Sequence, residues 1–516
     1  MYDISITGGT IVNGDGKPLV ADIAVKNGII VKMGRLAGKS LESIDAGGMT
    51  VSPGFIDFHS HNDRILSRKT PHLAKITQGI TTEVMGNCGF CEEKDNKSFA
   101  ASCPDKKRTL DWKANIDYFG KLPLVTNSVL LVGHNNIRTS VLGMENRPPS
   151  RQELSRMESA ACEAMEAGYR GLSTGLIYPP GIFADRAEIV SLARVASKYG
   201  GIYASHIRGE AETLLEAVGE ALLVGREAGI STQISHLKAM GKGNWHKVDR
   251  VLGMILSARE GGLNVNYDQY PYTAASTTAS ILLPPWMLEG GSGETMKRLA
   301  DRSSRERARL DIANGIVGWQ NLLSYGPGTV MISRVKNERN RHLEGVTLPE
   351  IARRQGKDPI DALFDLLLEE KCSVLMIIHL MCEDSVKKII RNKTGFIGTD
   401  GICGKKPHPR LWGSFPRVLS KYVREEKVLS LEDAIYKFSR GPAEKLGLSR
   451  RGEIKEGNFA DIVVFDSGRI RDMATFEDSE RRAEGISYVI INGKTAISGG
   501  RFRKVTAGKL LRKGED

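Results

Sequence analysis

Several features that would indicate a membrane, secreted or repetitive protein are missing from this sequence. Its 516 residues contain no run of 18 apolar residues, which argues against a transmembrane helix. A strand pattern begins at Asp3 and leaves no room for a signal peptide. The seven cysteines lack the spacing of a disulfide framework, which favours a reducing compartment. Solenoid-type repeats and low-complexity tracts are absent too, so we expect a cytoplasmic protein without a membrane partner.

The charge balance is basic, at +12, with a pI near 9.2. Such a balance raises nucleic acid as a partner. Basic residues are nevertheless mixed with acidic ones, no aromatic-interleaved basic motif occurs, and only the tail from Arg501 to Lys513 is locally basic. The pattern therefore favours a solvated basic surface and a small anionic substrate over nucleic acid.

Short apolar segments alternate with helical patterns through the central part of the chain, which is typical of βα units and a parallel sheet. The predicted strands are 54–61, 81–88, 128–134, 171–177, 201–207, 230–237, 263–268 and 395–400, and the clearest helical patterns are 151–167, 186–199, 211–228 and 247–260. Eight such strands predict an α/β fold of the (β/α)8 TIM-barrel type, in which the chemistry lies at the carboxyl ends of the strands.

The two ends of the chain share short strands and Asn-Gly turns. We expect residues 1–50 and 451–516 to pair into a small β-sandwich, with a basic tail, around a catalytic barrel at 51–450. The interval 273–393 is too long for a βα connection and predicts an insertion before the last barrel strand. A substrate lid and a packing subdomain are both open interpretations of it.

Possible metal ligands stand at the ends of the predicted strands. His59 and His61 are two residues apart after a buried strand, so both rings can face one side. Cys88, His206, His236 and Asp400 each end a further apolar run. Taken singly, the histidines could be satisfied polar residues and Cys88 a small buried hydrophobe. Together they predict a metal site at one barrel rim, and imidazole, thiolate and carboxylate suit zinc, with a thiolate able to bridge two ions.

The other histidines are predicted to be structural or on the surface. They are His72, His134, His246, His342 and His379.

These motifs resemble the amidohydrolase superfamily, and more closely its N-acyl-D-amino-acid deacylase (D-aminoacylase) branch. The resemblance rests on the segment Pro53 to His61, on Gly-Asn-Cys-Gly around Cys88, on the Ser-His motifs at His206 and His236, and on Gly-Thr-Asp-Gly around Asp400; 171–181, 270–276, 408–418 and 460–465 extend it. It implies one tightly held zinc on Cys88, His206 and His236. It also implies a second, weaker position formed by His59, His61, Cys88 and Asp400.

One departure from other branches of the superfamily is informative. Many members bridge two metals with a carboxylated lysine on the fourth barrel strand, whereas residues 171–178 contain no lysine. The resemblance implies that Cys88 supplies the bridging anion instead.

Two residues are candidates for the chemistry itself. Asp400 is expected to act as the general base, although it could serve only as a ligand, and both roles can coexist. Tyr178 resembles a family residue near the scissile carbonyl and could donate to a developing oxyanion, whereas the alternative is a core aromatic. His408 and Arg410 either face the pocket or fix the loop that carries Asp400, and the second role is expected.

Recognition of a substrate carboxylate needs donors beyond the metal ligands. Lys238 lies two residues past His236, and Tyr270 and Ser276 match the carboxylate-binding positions of the family by motif. Tyr272 competes with Tyr270 because a register slip of one residue would exchange their faces. Arg208 is a further candidate for anion binding.

The resemblance implies hydrolysis of N-acyl-D-amino acids to a carboxylate and a free D-amino acid, without fixing a neutral or acidic side chain. A cyclic-amide hydrolase of the hydantoinase or dihydroorotase type is the alternative enzyme. A basic nucleic-acid-binding protein on a degenerate hydrolase fold is the alternative from another class, and the intact ligand set argues against it.

Overall fold

The structure is a computed structural model that describes residues 1–14, 16–65, 73–92 and 110–514. His72, one of the histidines predicted to be structural, lies outside these ranges. No helix in the described ranges combines the length and the apolar composition needed to cross a bilayer.

Eight parallel strands form the central barrel, in the order in which they occur along the chain. They are Phe55–Asp57, Ile80–Met85, Asn127–Leu130 continued by Val132–Gly133, Gly171–Gly175, Ile202–His206, Ser231–Ile234, Val265–Gln269 and Gly395–Ile397. The third strand joins the two halves of the barrel, since its first part pairs with the second strand and its last part with the fourth. The eighth strand meets the first through the Phe58 N–H, which donates to the Ile397 carbonyl, and through a parallel bridge between Ser60 and Gly401. The predicted fold class is confirmed.

Helices connect and surround these strands, and the predicted helix at 151–167 is confirmed with both of its ends. Its amino end carries a capping box in which Ser150 and Glu153 bond reciprocally, and its carboxyl end stops at Gly168 with φ of 111°. The α-helices are Leu73–Ile76, Trp112–Gly120, His134–Leu142, Arg151–Ala167, Arg186–Lys198, Leu214–Ala228, Lys247–Glu260, Pro285–Leu288, Gly291–Ala300, Arg302–Asn314, Leu348–Gln355, Pro359–Glu369, Glu383–Arg391, Arg410–Arg417, Leu431–Phe438 and Arg440–Leu446. The helix predicted at 211–228 begins later than expected, at Leu214.

The two ends of the chain share a seven-stranded sheet, because Thr50–Pro53 pairs antiparallel with Ile462–Phe465. A four-stranded sheet packs beside it. The other strands of these sheets are Tyr2–Thr7, Thr10–Ile11, Leu19–Val20, Ile23–Lys26, Ile29–Met33, Ser40–Asp45, Ile486–Ile491, Lys494–Ser498 and Arg501–Phe502. The β-sandwich is thereby confirmed, and the domain limits at residues 50 and 450 stay predictions.

The insertion before the last barrel strand has its own core. Ala275–Thr278, Leu375–Ile378 and Val330–Arg334 form a three-stranded antiparallel sheet, against which the helices from Pro285 to Glu369 pack through buried leucine and isoleucine side chains. The insertion contributes walls to the cavities described below.

A buried ion pair fixes the first barrel strand to the end of the eighth. Lys75 Nζ lies 2.6 Å from Asp57 Oδ2, and both side chains are fully buried. The other oxygen of Asp57 accepts the backbone N–H of Thr399 at 2.7 Å and that of His59 at 3.3 Å. His59 and the neighbour of Thr399, Asp400, are candidate site residues. The bonds of Asp57 therefore hold the backbone next to both of them.

Replacement of Lys75 by Met should therefore destabilise the chain by about 3–5 kcal/mol, since it leaves the Asp57 carboxylate buried without its cation. The measurement is the free energy of unfolding in urea. Lys113→Met is the matched control, because Lys113 pairs with Asp117 on an exposed helix face and should contribute less than about 1 kcal/mol. Equal unfolding curves for wild type and Lys75→Met would contradict the role of the pair.

Candidate metal centre

The ends of five barrel strands carry the predicted ligands to one place. His206 is the last residue of the fifth strand, and His59, Cys88, His236 and Asp400 follow the first, second, sixth and eighth strands by two or three residues. Strand ends in a barrel all face the same rim, so ligands from residues 59 to 400 meet there.

The Cys88 sulfur is the point at which three imidazoles converge. Its Sγ lies 3.3 Å from His59 Nε2, 3.5 Å from His206 Nδ1 and 3.4 Å from His236 Nε2. Three sets of possible ligand atoms each lie within 4.8 Å of one another: His59, His61 and Cys88; Cys88, His206 and His236; and His59, His236 and Asp400. The structure thus brings all six predicted ligands together, in sets that share residues.

Asp400 contacts both members of the first histidine pair and one arginine. Its Oδ1 lies 3.1 Å from His61 Nε2 and 3.6 Å from His59 Nε2, and its Oδ2 lies 2.9 Å from a terminal nitrogen of Arg410. Burial raises the pKa of this carboxyl group, but the positive charges of Arg410 and His59 lower it by a larger amount. The pKa therefore lies well below its ordinary value. Asp400 is therefore an ionised carboxylate.

Burial also sets the protonation of the other ligands. It lowers the pKa of His206 and of His236 well below the ordinary value, so both rings are neutral and can offer a lone pair to a metal. Burial raises the pKa of the Cys88 thiol, although His59 opposes the shift. Burial lowers the pKa of His59, but Cys88 and Asp268 raise it by more, and the net pKa lies well above the ordinary value.

The backbone at three of these ligands adopts the left-handed conformation that non-glycine residues rarely use. The φ angles are 55° at Cys88, 37° at His236 and 47° at Asp400. Such residues cost about 1–3 kcal/mol each and cluster at functional sites. Gly86 makes the turn at Cys88 possible, because a Cβ there would lie 2.0 Å from the Leu131 carbonyl oxygen. The glycine of the Gly-Asn-Cys-Gly motif is thus required by close packing.

Two buried carboxylates that the sequence analysis missed orient the histidines. Asp268 Oδ1 lies 3.1 Å from His59 Nδ1 and accepts the backbone N–H of His236 at 2.8 Å. Glu210 Oε1 lies 3.1 Å from His236 Nδ1 and 2.5 Å from Lys238 Nζ. Asp268 lies near the end of the seventh strand and Glu210 follows the fifth, but nothing in the sequence indicates partners so far apart along the chain.

Four predicted substrate or catalytic residues line a cavity beside the metal centre. They are Tyr178, Lys238, Tyr270 and Ser276. The cavity measures about 30 Å³, room for about two water molecules. His61, His206, His236 and Asp400 line it as well, so the predicted substrate residues share a space with the predicted ligands.

The hydroxyl groups of the tyrosines differ in their partners. That of Tyr178 lies 2.8 Å from Thr277 Oγ1, and burial, with the neighbouring Cys88, raises the pKa of Tyr178 well above its ordinary value, so it stays protonated. The buried hydroxyl of Tyr270 makes no well-directed hydrogen bond within the described residues. Tyr272, its rival, is outside the lining of this cavity, and its hydroxyl faces the Pro409 carbonyl.

Arg208 lies in the wall of a second cavity instead. Its guanidinium bonds to Glu220 at 3.0 Å and to the carbonyl oxygens of Ile182 and Ala184. The second cavity measures about 310 Å³ and shares Ile177, Ile281 and Gln320 with the cavity at the metal centre. The structure does not bring Arg208 to the metal centre.

The loop after Asp400 is held as predicted. His408 Nε2 lies 3.0 Å from the Ala274 carbonyl oxygen, and its Nδ1 accepts the N–H of Arg410. Arg410 also donates to the Ser276 carbonyl and contacts Asp400, which sequence analysis did not foresee. His134 is buried 2.7 Å from Glu188, where it has a structural role.

Comparison with known proteins gives matches along almost the whole chain. The model of the amidohydrolase family matches residues 42–224 and 332–497. An N-acyl-D-glutamate deacylase of Alcaligenes xylosoxydans xylosoxydans is 36% identical, over 95% of this chain and 93% of that protein. A D-aminoacylase of the same organism is 33% identical, over 99% of this chain and 97% of the relative.

A solved structure is similar over the same extent. It is an N-acyl-D-glutamate deacylase from Bordetella bronchiseptica, complexed with zinc and a phosphonate inhibitor that mimics the tetrahedral intermediate of the reaction. It is 33% identical, covers 99% of each chain and superposes with a TM-score of 0.83. On these matches and on the barrel that carries its ligands at the strand ends, the chain belongs to the amidohydrolase family.

Proposed function

We propose that this chain is a zinc-dependent hydrolase that cleaves the amide of N-acyl-D-amino acids to a carboxylate and a free D-amino acid. The observation that carries the proposal is the contact of one cysteine sulfur with three histidines beside an ionised aspartate. The names of the relatives support the substrate class and its D configuration.

The donor set fits zinc. Sulfur, imidazole nitrogen and carboxylate oxygen are the ligands that zinc takes in proteins, and the neutral rings of His206 and His236 are ready to bind it. Cys88, His206 and His236 would hold the tight position. A second, weaker position would use His59, His61, Cys88 and Asp400. Zinc supplies Lewis acidity that polarises a carbonyl group and lowers the pKa of coordinated water to about 7.

Asp400 would move the proton. As an ionised carboxylate on the wall of the cavity, it can accept a proton from the attacking water and pass it to the departing amine. Its contact with Arg410 keeps it charged and fixes its direction. A ligand role for Asp400 is compatible with this proton transfer.

Tyr178 and the candidate carboxylate donors would place the substrate. The protonated Tyr178 hydroxyl can donate to the carbonyl oxygen as negative charge develops there. Tyr270 offers a buried hydroxyl without a well-directed partner, and Ser276 lies beside it in the cavity wall. Lys238 contributes positive charge, although Glu210 neutralises much of it.

The second cavity favours an apolar substituent on the substrate. Isoleucine, leucine, proline, phenylalanine, valine and tryptophan side chains form most of its lining, and Arg208, the charged residue among the described lining residues, is already paired with Glu220. An acidic side chain would lose its hydration there without gaining a free cation. We therefore expect neutral, apolar D-amino acids to be preferred over acidic ones.

The remaining predictions concern partners and location. We propose that the protein binds a small-molecule substrate rather than nucleic acid, and that it is located in the cytoplasm. The cyclic-amide alternative is disfavoured because the fourth barrel strand, Gly171–Gly175, has no lysine.

Hydrolysis of N-acetyl-leucine and N-acetyl-glutamate, each as the D and the L form, tests the proposal together with the zinc content of the protein. The D-leucine compound should be cleaved fastest, and activity should disappear with a chelator and return with zinc. Cleavage of the L forms alone, or of hydantoin instead, would contradict it.

Asp400→Asn should lower kcat by about 10²–10⁴-fold because the general base is lost. Zinc at the position formed by Cys88, His206 and His236 should remain, as measured by metal analysis of the same preparation. Asp384→Asn, at an exposed position of the helix Glu383–Arg391, is the control and should behave like wild type. Full turnover by Asp400→Asn would exclude Asp400 as the base.

Tyr270→Phe should raise KM for N-acetyl-D-leucine about 10-fold or more, because a hydrogen bond to a charged group contributes about 1.5–3 kcal/mol. KM for the corresponding N-acetyl-D-leucine amide, which has no carboxylate, should change little. Tyr272→Phe is the matched control, since its hydroxyl faces Pro409. The same rise for both compounds would remove the carboxylate role of Tyr270.

A further inference from the structure

Glu210 faces the outer sides of two histidines at once. Its Oε1 lies 3.1 Å from His236 Nδ1, and its Oε2 lies 3.9 Å from His206 Nε2. The inner nitrogens of the same rings face the Cys88 sulfur. Glu210 is only 2% exposed, so this carboxylate is held inside the protein by these contacts and by Lys238.

The backbone of Glu210 is fixed from two directions. Its N–H donates to the side-chain oxygen of Gln320, in the insertion, and its carbonyl accepts the N–H of Met240 at 2.7 Å. The carboxylate therefore has a defined position before any ligand arrives.

The tautomer of His236 determines which of its neighbours can stabilise the metal-binding form of the ring. A neutral imidazole that gives the lone pair of Nε2 to a metal carries its hydrogen on Nδ1, and that N–H needs an acceptor. Lys238 Nζ lies 2.7 Å from Nδ1, but an ammonium group only donates. A carboxylate oxygen can accept, and Glu210 Oε1 lies 3.1 Å from Nδ1, so among these two neighbours only Glu210 can complete the metal-binding form of His236.

In His206 the roles of the two ring nitrogens are reversed, and the outer nitrogen, Nε2, also needs a hydrogen-bond acceptor. Its Nδ1 faces the sulfur, and its buried Nε2 has no hydrogen-bond partner in the described part of the chain. Glu210 Oε2 is the nearby carboxylate oxygen, at 3.9 Å, and it can accept the N–H of this nitrogen once the two atoms come within hydrogen-bond distance.

We propose that Glu210 is a positioning residue that holds both His206 and His236 in the orientation and tautomer that bind zinc, and that it also neutralises Lys238 beside them. Carboxylates that accept from the outer nitrogen of a ligand histidine raise its basicity and fix its ring. This inference rests on the proposed zinc position but not on the proposed substrate.

The test is the zinc affinity of the purified full-length chain, measured by competition with a chromophoric chelator. Glu210→Leu should weaken zinc binding by about 10–100-fold, the usual effect of losing such a partner. Glu220→Leu is the matched control, because Glu220 pairs with Arg208 away from the metal centre, and its zinc affinity should equal that of wild type.

A second variant separates positioning from simple charge balance. In Glu210→Leu the ammonium of Lys238 is left without its partner and could itself repel zinc. The double variant Glu210→Leu with Lys238→Met removes that charge, and zinc binding should stay at least about 10-fold weaker than wild type. Restoration of wild-type affinity in the double variant would overturn the positioning role.

Glu210→Asp covers the case in which the leucine variants do not fold. It keeps the charge opposite Lys238 but withdraws the carboxylate from His236, so zinc affinity should still fall. Wild-type affinity in this variant would overturn the proposal. If zinc affinity falls as expected while no N-acyl-D-amino acid is cleaved by wild type, the substrate assignment fails and the positioning role stands.

Discussion

The arrangement depends on the electrostatic cost of gathering charged and polar groups inside a barrel rim. Three buried carboxylates, Asp268, Asp400 and Glu210, face two fixed cations, Lys238 and Arg410, and the imidazole of His59, whose pKa lies well above its ordinary value, adds a third positive charge before a metal binds. Uncompensated charge in such surroundings costs several kcal/mol per ion. A divalent cation held by the candidate cysteine and histidine ligands would replace the proton of His59 and would itself offset the negative charge of the carboxylates. The site is therefore built around a positive charge at its centre.

Backbone strain at the candidate ligands adds a second energetic cost to that of burying charge. Cys88, His236 and Asp400 hold left-handed φ angles because the chain must turn sharply as it leaves each strand. The surrounding hydrogen bonds compensate, as Asp268 does by accepting the N–H of His236 and Asp57 by accepting the N–H of Thr399. Ligands held in this way cannot relax apart easily, which keeps them preorganised for a metal.

The features that depend on local pattern are predictable from the sequence. The eight strands follow from apolar runs with turn residues between them, and the six candidate ligands follow from the place of each residue at a strand end. The partners of these ligands could not be predicted in this way. Glu210 and Lys238 are 28 residues apart, and the contact between Arg410 and Asp400 depends on how the loop after the eighth strand folds back. Arg208 is an example in which local position misleads. It lies two residues past His206, which suggested a place at the site, but its guanidinium bonds to Glu220 instead.

The insertion contributes one hydrogen-bond partner to the residues behind the candidate metal centre. Gln320, from the insertion, accepts the N–H of Glu210 and lines both cavities. A substituent in the larger cavity would thus lie against Gln320. Gln320 accepts the N–H of Glu210, whose carboxylate lies behind two candidate zinc ligands. Because interiors are close-packed, the positions of the Gln320 side chain and of the Glu210 backbone depend on each other. The insertion, which lines both cavities, is in this way hydrogen-bonded to Glu210, and Glu210 contacts two candidate metal ligands.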